Sequence, residues 1–315
     1  MGIAILSGIL SSLNDISSSK PGSASGVSTP QIQEEVPSRL PSNFIACVRR
    51  HESAKRVASA LLGLSDNVKI TEGRNVEAVR ESEVILLGCK PQMVKDVLSE
   101  PGMADALKGK LLISICAGVT VDQIQGYLDG PLPKSDSAVE GRPCTIVRAM
   151  PNTASLIRES MTVIATSNPP LPAQQASLVT WIFKRIGEVV YLPPTTMDAS
   201  TALCGSGPAF FALMLEAAID GAVAMGLPRA EAQRMAAQTM RGTSGLVLNG
   251  DHPALLRDKV STPGGCTIGG LLVLEEGRVR GTVARAVREA TVVASQLGKG
   301  VQGVNGTRFG SNQLQ

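Results

Sequence analysis

The 315-residue chain is 43% apolar, 18% charged and 3% aromatic, with a net charge of +3. So even a charge balance, with so few aromatic rings for stacking bases, excludes a nucleic-acid-binding surface. The longest apolar stretch, residues 209–227, is interrupted by Glu216 and Asp220, and no basic residue precedes the apolar N-terminus as in a signal peptide; no membrane partner is expected, and the chain reads as soluble and cytoplasmic.

A chain of this length divides into two domains, and the elements fall into two blocks. Residues 1–13 carry helical apolar spacing from almost the first residue. Residues 14–43 hold eight Ser, four Pro and two Gly, too few apolar groups to repay ordering, and read as a flexible insertion. A strand over 43–50, a helix over 51–64, a brief strand over 68–71 and a helix over 75–82 follow. The run "EVILLGCKP" is continuously apolar and stopped by Pro91, the pattern of a strand buried on both faces. A helix over 93–107, a buried strand over 110–118, a helix over 120–128, a polar loop over 130–143 and a strand over 144–151 continue the alternation. Strands over 160–166 and 188–194 flank a helix over 173–186. Strands alternating with helices predict an α/β domain, residues 1–195, whose doubly wound, mostly parallel sheet is covered on both faces.

After Pro193 and Pro194 only helical spacing remains, rich in Ala, Leu and Met. Helices are predicted from Pro208 to near Gly226, from Pro228 to near Gly250, over 267–276 and over 278–297. Residues 196–300 therefore read as an all-helical domain and 301–315 as a tail.

The six cysteines, Cys47, Cys89, Cys116, Cys144, Cys204 and Cys266, form no C-x-x-C pair, and the only histidines are His51 and His252. No metal site and no disulfide framework is expected; the thiols read as reduced and mostly buried.

A doubly wound sheet binds ligands at the carboxyl ends of its strands. Arg49–Arg50, Lys90–Pro91, Cys116–Ala117–Gly118 and Met150–Pro151–Asn152 stand there. An acidic residue after the second strand selects the ribose hydroxyls of NAD, whereas a basic one accommodates the 2′-phosphate of NADP. Arg49 and Arg50 suit a phosphate, though spacing alone also admits a solvated pair. In the helical block, "VSTPGGCTIGG" places Ser261, Thr262, Pro263, Gly264 and Gly265 in a tight turn before a helix. Its backbone N–H groups could cradle a carboxylate, with Thr267 capping the helix or offering its hydroxyl; a plain capping turn stands as the alternative. Ser206 and Gly207 open the Pro208 helix, either as a second such turn or for close helix packing.

The segments "MGIAILSGIL", "VRR", "LGCKPQMVKDVL", "ISICAGVT", "RAMPNT", "GSGPAFF", "DGAVAMGLPR" and "KVSTPGGCTIGGLLVLEE", in this order, resemble pyrroline-5-carboxylate reductases, and the Ser/Pro-rich insertion resembles fungal members. The resemblance implies a Rossmann-like domain, a helical dimerisation domain, and reduction of 1-pyrroline-5-carboxylate to proline with NADPH, NADH remaining possible. It implies that Arg49 and Arg50 face the 2′-phosphate and Asn75 the cofactor ribose, while Gly2, Gly88, Cys89, Lys90, Pro91, Cys116, Ala117 and Asn152 line the cofactor cleft. Ser261, Thr262, Gly264, Gly265 and Cys266, with Ser206, would hold the cyclic imino acid, Thr267 bonding the ring nitrogen across a dimer interface. The partners implied are this small molecule and a second copy of the chain, with higher assembly, for example a decamer, left open. A methyl-substituted pyrroline carboxylate as substrate, and a non-catalytic partner subunit, remain alternative functions.

The family begins with a strand and G-x-G-x-x-G; here only the last glycine, Gly2, is present. Losing five or six buried residues of a central strand would cost ~10 kcal/mol. The working protein is therefore expected to carry roughly ten further residues before Met1.

Overall fold

The structure, a computed structural model, describes residues 1–18, 37–64, 67–129, 143–299, 301 and 304. The expected flexible insertion, the polar loop and the tail fall mostly outside the described residues. The chain separates into two compact units, one formed by Met1–Gly205 with Val293–Asn305 and the other by Ser206–Val292.

The first unit alternates strands and helices in the order α1 (Gly2–Ser18), β1 (Phe44–Val48), α2 (His51–Ala60), β2 (Val68–Glu72), α3 (Asn75–Arg80) and β3 (Val84–Leu87). It continues with α4 (Val94–Leu98), α5 (Met103–Leu107), β4 (Leu111–Ser114), α6 (Val121–Asp129), β5 (Thr145–Met150), β6 (Ser160–Ala165), α7 (Ala173–Lys184), β7 (Gly187–Leu192) and α8 (Met197–Ser200). The helix expected over 1–13 runs five residues further. The one expected over 93–107 is two, because Pro101 cannot continue α4 and Gly102 adopts a left-handed φ of 86°.

The strands form two sheets. β1 and β2 pair in parallel, and five strands pair in the order β3-β4-β5-β6-β7, parallel except for the antiparallel β5–β6 contact. Among the described residues no strand bridges β1 and β3. Phe44 N–H and the Val48 carbonyl bond toward β2, so the backbone groups of Ile45 and Cys47 face away from it. On β3, the Glu83 and Leu87 carbonyls accept from Leu111 and Ile115 of the β4 side, so Val84 and Leu86 offer theirs to the other edge.

Helix α1 holds the two sheets together. Ile5 and Ile9 pack into the main core with Ile113, Val147, Ile164, Trp181 and Phe183. Leu10, with Ile3 and Leu6, packs instead against Val57 and Leu61 of the α2 region and Ile70 of β2. The helix approaches so closely at Gly8 that a Cβ would stand 2.8 Å from the Arg185 carbonyl oxygen. A second cluster, on Val94, Leu98, Met103, Leu107, Leu112, Cys116 and Ile124, covers the sheet from α4, α5 and α6.

The second unit holds α9 (Gly207–Ala224), α10 (Arg229–Leu248), α11 (Pro253–Lys259), α12 (Cys266–Glu276) and α13 (Val279–Gly298), whose last turns belong to the first unit. The helix expected to start at Pro208 begins earlier: α8 runs through a π turn, Thr201–Ser206, into α9. The wide π turn falls directly before Pro208, which has no N–H to give a helical ladder. Among the described residues, Pro194–Ala224 is the one helix long and apolar enough to cross a membrane, by length and composition alone. Yet α9 and α12 bury little within the chain: Leu213, Leu272 and Val273 are each more than half exposed. A helix apolar on every side requires a cover.

Candidate active site

Residues at the carboxyl ends of β1, β3, β4 and β5 share one rim. β1 delivers Arg49 and Arg50, both exposed, where α2 begins. Lys90 follows β3. Arg49, Arg50 and Arg56 line an open hollow of about 470 Å³ together with Lys90, Ser53 and a single carboxylate, Glu52. Four cations face one anion there, a local excess of positive charge. Arg56 was not among the expected residues, although its place two turns along the helix that opens after Arg49 was a usable signal.

The turns after β3 and β4 bring Gly88, Cys89 and Pro91 beside Cys116 and Ala117. The Cys116 thiol donates to the Cys89 carbonyl at 3.3 Å. Gly118 sits at φ 74°, and a Cβ there would stand 3.3 Å from Gly298 N. The α6 start is closed by a reciprocal cap: Thr120 N–H donates to Gln123 Oε1 (2.9 Å) and Gln123 N–H to Thr120 Oγ1 (3.2 Å). Gln123 Nε2 also donates to the Gly298 carbonyl at 2.7 Å, fastening the end of α13 beside this rim.

Gly2 opens α1. The first intrahelical bond runs from Ile5 N–H to Met1 O, so the amides of the first turn are free of helical partners, and nothing stands within 4 Å of where a Gly2 Cβ would be. This terminus lies beside the turn after β5, where Ser155 Oγ donates to Met1 Sδ at 3.3 Å. Asn152 has a local task there: its Oδ1 accepts from Ala154 N–H at 3.0 Å. Asn75 is also occupied, accepting from Cys47 Sγ at 3.2 Å and donating to Glu100 Oε1 at 2.7 Å.

Sequence reasoning missed Arg148, the one charge in β5. It is buried; loss of water pulls its pKa down while Asp198 on α8 opposes that shift. A charge inside "TIVRAM" was the available signal.

The turn of the second unit forms as expected. Gly265 N–H donates to Thr262 O at 3.0 Å, with Pro263 and a left-handed Gly264 (φ 68°) between them, a type II turn. A Cβ on Gly265 would fall against Thr262 Oγ1, so the turn needs glycine there. Gly265, not Thr267, is the N-cap of α12, and no side chain caps it. That corrects the capping role offered to Thr267, whose half-buried hydroxyl lies in the first helical turn beside Cys266. Ser261 Oγ is turned back to the Arg257 carbonyl at 2.8 Å. Ser206 ends the π turn at the head of α9.

Two family profiles match the chain. Residues 24–118 match one described as NADP oxidoreductase coenzyme F420-dependent, and residues 194–297 match one described as pyrroline-5-carboxylate reductase dimerisation. Fold and site thus define an oxidoreductase with an α/β NADP-binding domain and a helical dimerisation domain, the latter containing the uncovered apolar helices. The chain is 70% identical over 309 residues to pyrroline-5-carboxylate reductase of Lophium arboricola, covering 98% of this chain and 94% of that one. It is 58% identical to the Neurospora crassa enzyme of the same description, over 98% and 93% of the two chains. A crystal structure of Plasmodium falciparum pyrroline carboxylate reductase with NADP bound superposes with a TM-score of 0.67 at 26% identity, covering 84% of this chain and 99% of that one. The chain belongs to the pyrroline-5-carboxylate reductase family.

Proposed function

We propose that the chain reduces the C=N bond of 1-pyrroline-5-carboxylate to give L-proline, with NADPH preferred over NADH, as a homodimer in the cytoplasm. The observation that carries the reading is the family membership over 98% of the chain. The cationic hollow carries the cofactor preference.

The residues present fit a dinucleotide with an added phosphate. Arg49 and Arg50, backed by Arg56 and Lys90, would hold the 2′-phosphate by charge-assisted hydrogen bonds. The free amides at Gly2 and the following turn favour the pyrophosphate. Gly88, Cys89, Pro91, Cys116 and Ala117 shape the rim, and Asn152 fixes the turn after β5. Asn75 reaches a ribose only by giving up Glu100. When bound, the reduced nicotinamide supplies the hydride.

The chain's own work is binding and orientation. The Thr262–Gly265 turn and the first amides of α12 hold the substrate carboxylate, and the Thr267 hydroxyl bonds the ring nitrogen. A cyclic imine is basic enough to arrive protonated, so no strong general acid is required.

The test is NADPH oxidation by the purified chain with 1-pyrroline-5-carboxylate and with a methyl-substituted analogue, product amino acids being identified. Proline from the unsubstituted imine is expected. No turnover with it, or a strong preference for the methylated ring, overturns the assignment. A methyl group alone would discriminate by only about 1–3 kcal/mol.

A further inference from the structure

Two of the six thiols meet at the carboxyl rim of the five-stranded sheet. β3 and β4 run parallel with Leu87 opposite Ser114, and Ile115 N–H continues the ladder to the Leu87 carbonyl at 3.0 Å. Cys89 and Cys116 stand two residues beyond that register pair. Adjacent strands lie about 4.8 Å apart, and a disulfide needs Cα atoms about 4.4–6.8 Å apart. If that register continues past the strand ends, the two positions fall opposite each other at a spacing within the range a disulfide spans.

Their side chains also share one side of the sheet, in the cluster built on Leu87, Val94 and Leu112. The buried Cys116 thiol donates to the Cys89 carbonyl at 3.3 Å and to the Leu87 carbonyl at 3.5 Å, so its sulfur is held against the Cys89 residue. The neighbouring Cys116 side chain holds the Cys89 thiol below its ordinary range, while Cys89 and burial push Cys116 above it. Half-buried Cys89 is thus the more reactive sulfur and Cys116 its neighbour. Cys144 differs, lying just before β5 with burial pushing its thiol up to about 11.

We propose that Cys89 and Cys116 form an oxidisable dithiol that closes to a disulfide when the protein meets hydrogen peroxide. The Cys89 thiolate attacks one peroxide oxygen: an S–O bond forms, the O–O bond breaks, and the leaving hydroxide takes up the thiol proton as water. The Cys116 sulfur then attacks the Cys89 sulfenic acid: an S–S bond forms, the S–O bond breaks, and a second water leaves with the Cys116 proton. Two thiols are oxidised by two electrons and the peroxide is reduced to two waters. The link ties the turn carrying Lys90 and Pro91 to the one carrying Ala117. It therefore slows NADPH-dependent turnover, a consequence that rests on the cofactor assignment made above.

The experiment treats the full chain with hydrogen peroxide near stoichiometry, blocks remaining thiols by alkylation, and maps the peptides by mass spectrometry. The expected result is one peptide pair joined through Cys89 and Cys116, two hydrogens lighter than its parts, that disappears on dithiothreitol treatment and is absent from Cys89→Ser. Unlinked Cys89 and Cys116 after peroxide, or a dominant link through Cys266, overturns the proposal. Turnover measured on the same samples should fall with the linked fraction and return with dithiothreitol; full turnover with the link complete removes the regulatory role. Peptide mapping needs no cofactor, so it stands even if the assignment of the rim to NADPH fails.

Discussion

Replacing Arg49 with Ala tests the cofactor reading most directly. The hollow it lines is open and holds Arg49, Arg50, Arg56 and Lys90 against Glu52. A hydrogen bond to a charged group contributes about 1.5–3 kcal/mol, and because Arg49 is exposed the lower end applies. A cation at about 6–8 Å that makes no contact contributes only about 0.5 kcal/mol in water-like surroundings, less at physiological salt. Arg49→Ala should therefore raise the KM for NADPH roughly tenfold, and Arg50→Ala likewise, whereas Arg56→Ala should change it about twofold. kcat at saturating NADPH should hold, since the phosphate is remote from the reacting carbon. NADH lacks the phosphate, so its KM should stay within about twofold of the unaltered chain. Initial rates with both cofactors at two ionic strengths measure all of this. An equal loss with NADH and NADPH would refute a phosphate role for these arginines and assign them to folding or to the shared part of the dinucleotide.

Three further outcomes are expected. Thr267→Ala should lower kcat/KM by roughly tenfold to a hundredfold, ~1.4–2.7 kcal/mol, and unchanged steady-state kinetics would remove its contact with the ring nitrogen. Gly187→Ala should destabilise the first unit by about 3 kcal/mol in denaturant melts: φ is 144° and the new Cβ would collide with the Ser160 backbone. An unshifted midpoint would mean that β6 and β7 can slide apart there at little cost. Arg148→Met should cost about 2–3 kcal/mol, since the half-buried Asp198 loses the opposite charge that acts on it; a stabilised variant would show that Asp198 is served by water.

The sheet was legible where both faces are buried. "EVILLGCKP" and "KLLISICAG" have no polar face, and punctuation at Pro91 and Gly118 fixed where the rim residues emerge. The Thr262–Gly265 turn was legible because Pro-Gly fixes its type. Other features depend on distant groups. Apolar spacing runs straight across Pro101–Gly102, so the α4–α5 break was overridden by periodicity. α11 is seven residues long, shorter than a spacing pattern can establish. The π turn leaves no mark in the order of apolar residues. Asp198 lies fifty positions from Arg148, and nothing local announces that the two charges act on each other. The antiparallel β5–β6 contact is likewise a matter of chain path, because a buried strand reads the same in either direction.

The division of the sheet has a dynamic consequence. Among the described residues, β1 and β2 share no strand hydrogen bonds with the five-stranded sheet, and with α2 they lean on α1 through Leu10, Val57 and Leu61. Such a segment can open as its own cooperative unit, below the free energy needed to unfold the rest. Amide protons of Ala46 and Ile70 should then exchange ahead of those of Leu112 and Val147. Any anion that spans Arg49 on the loose segment and Lys90 on the firm one would act as a staple, slowing that exchange in proportion to its occupancy.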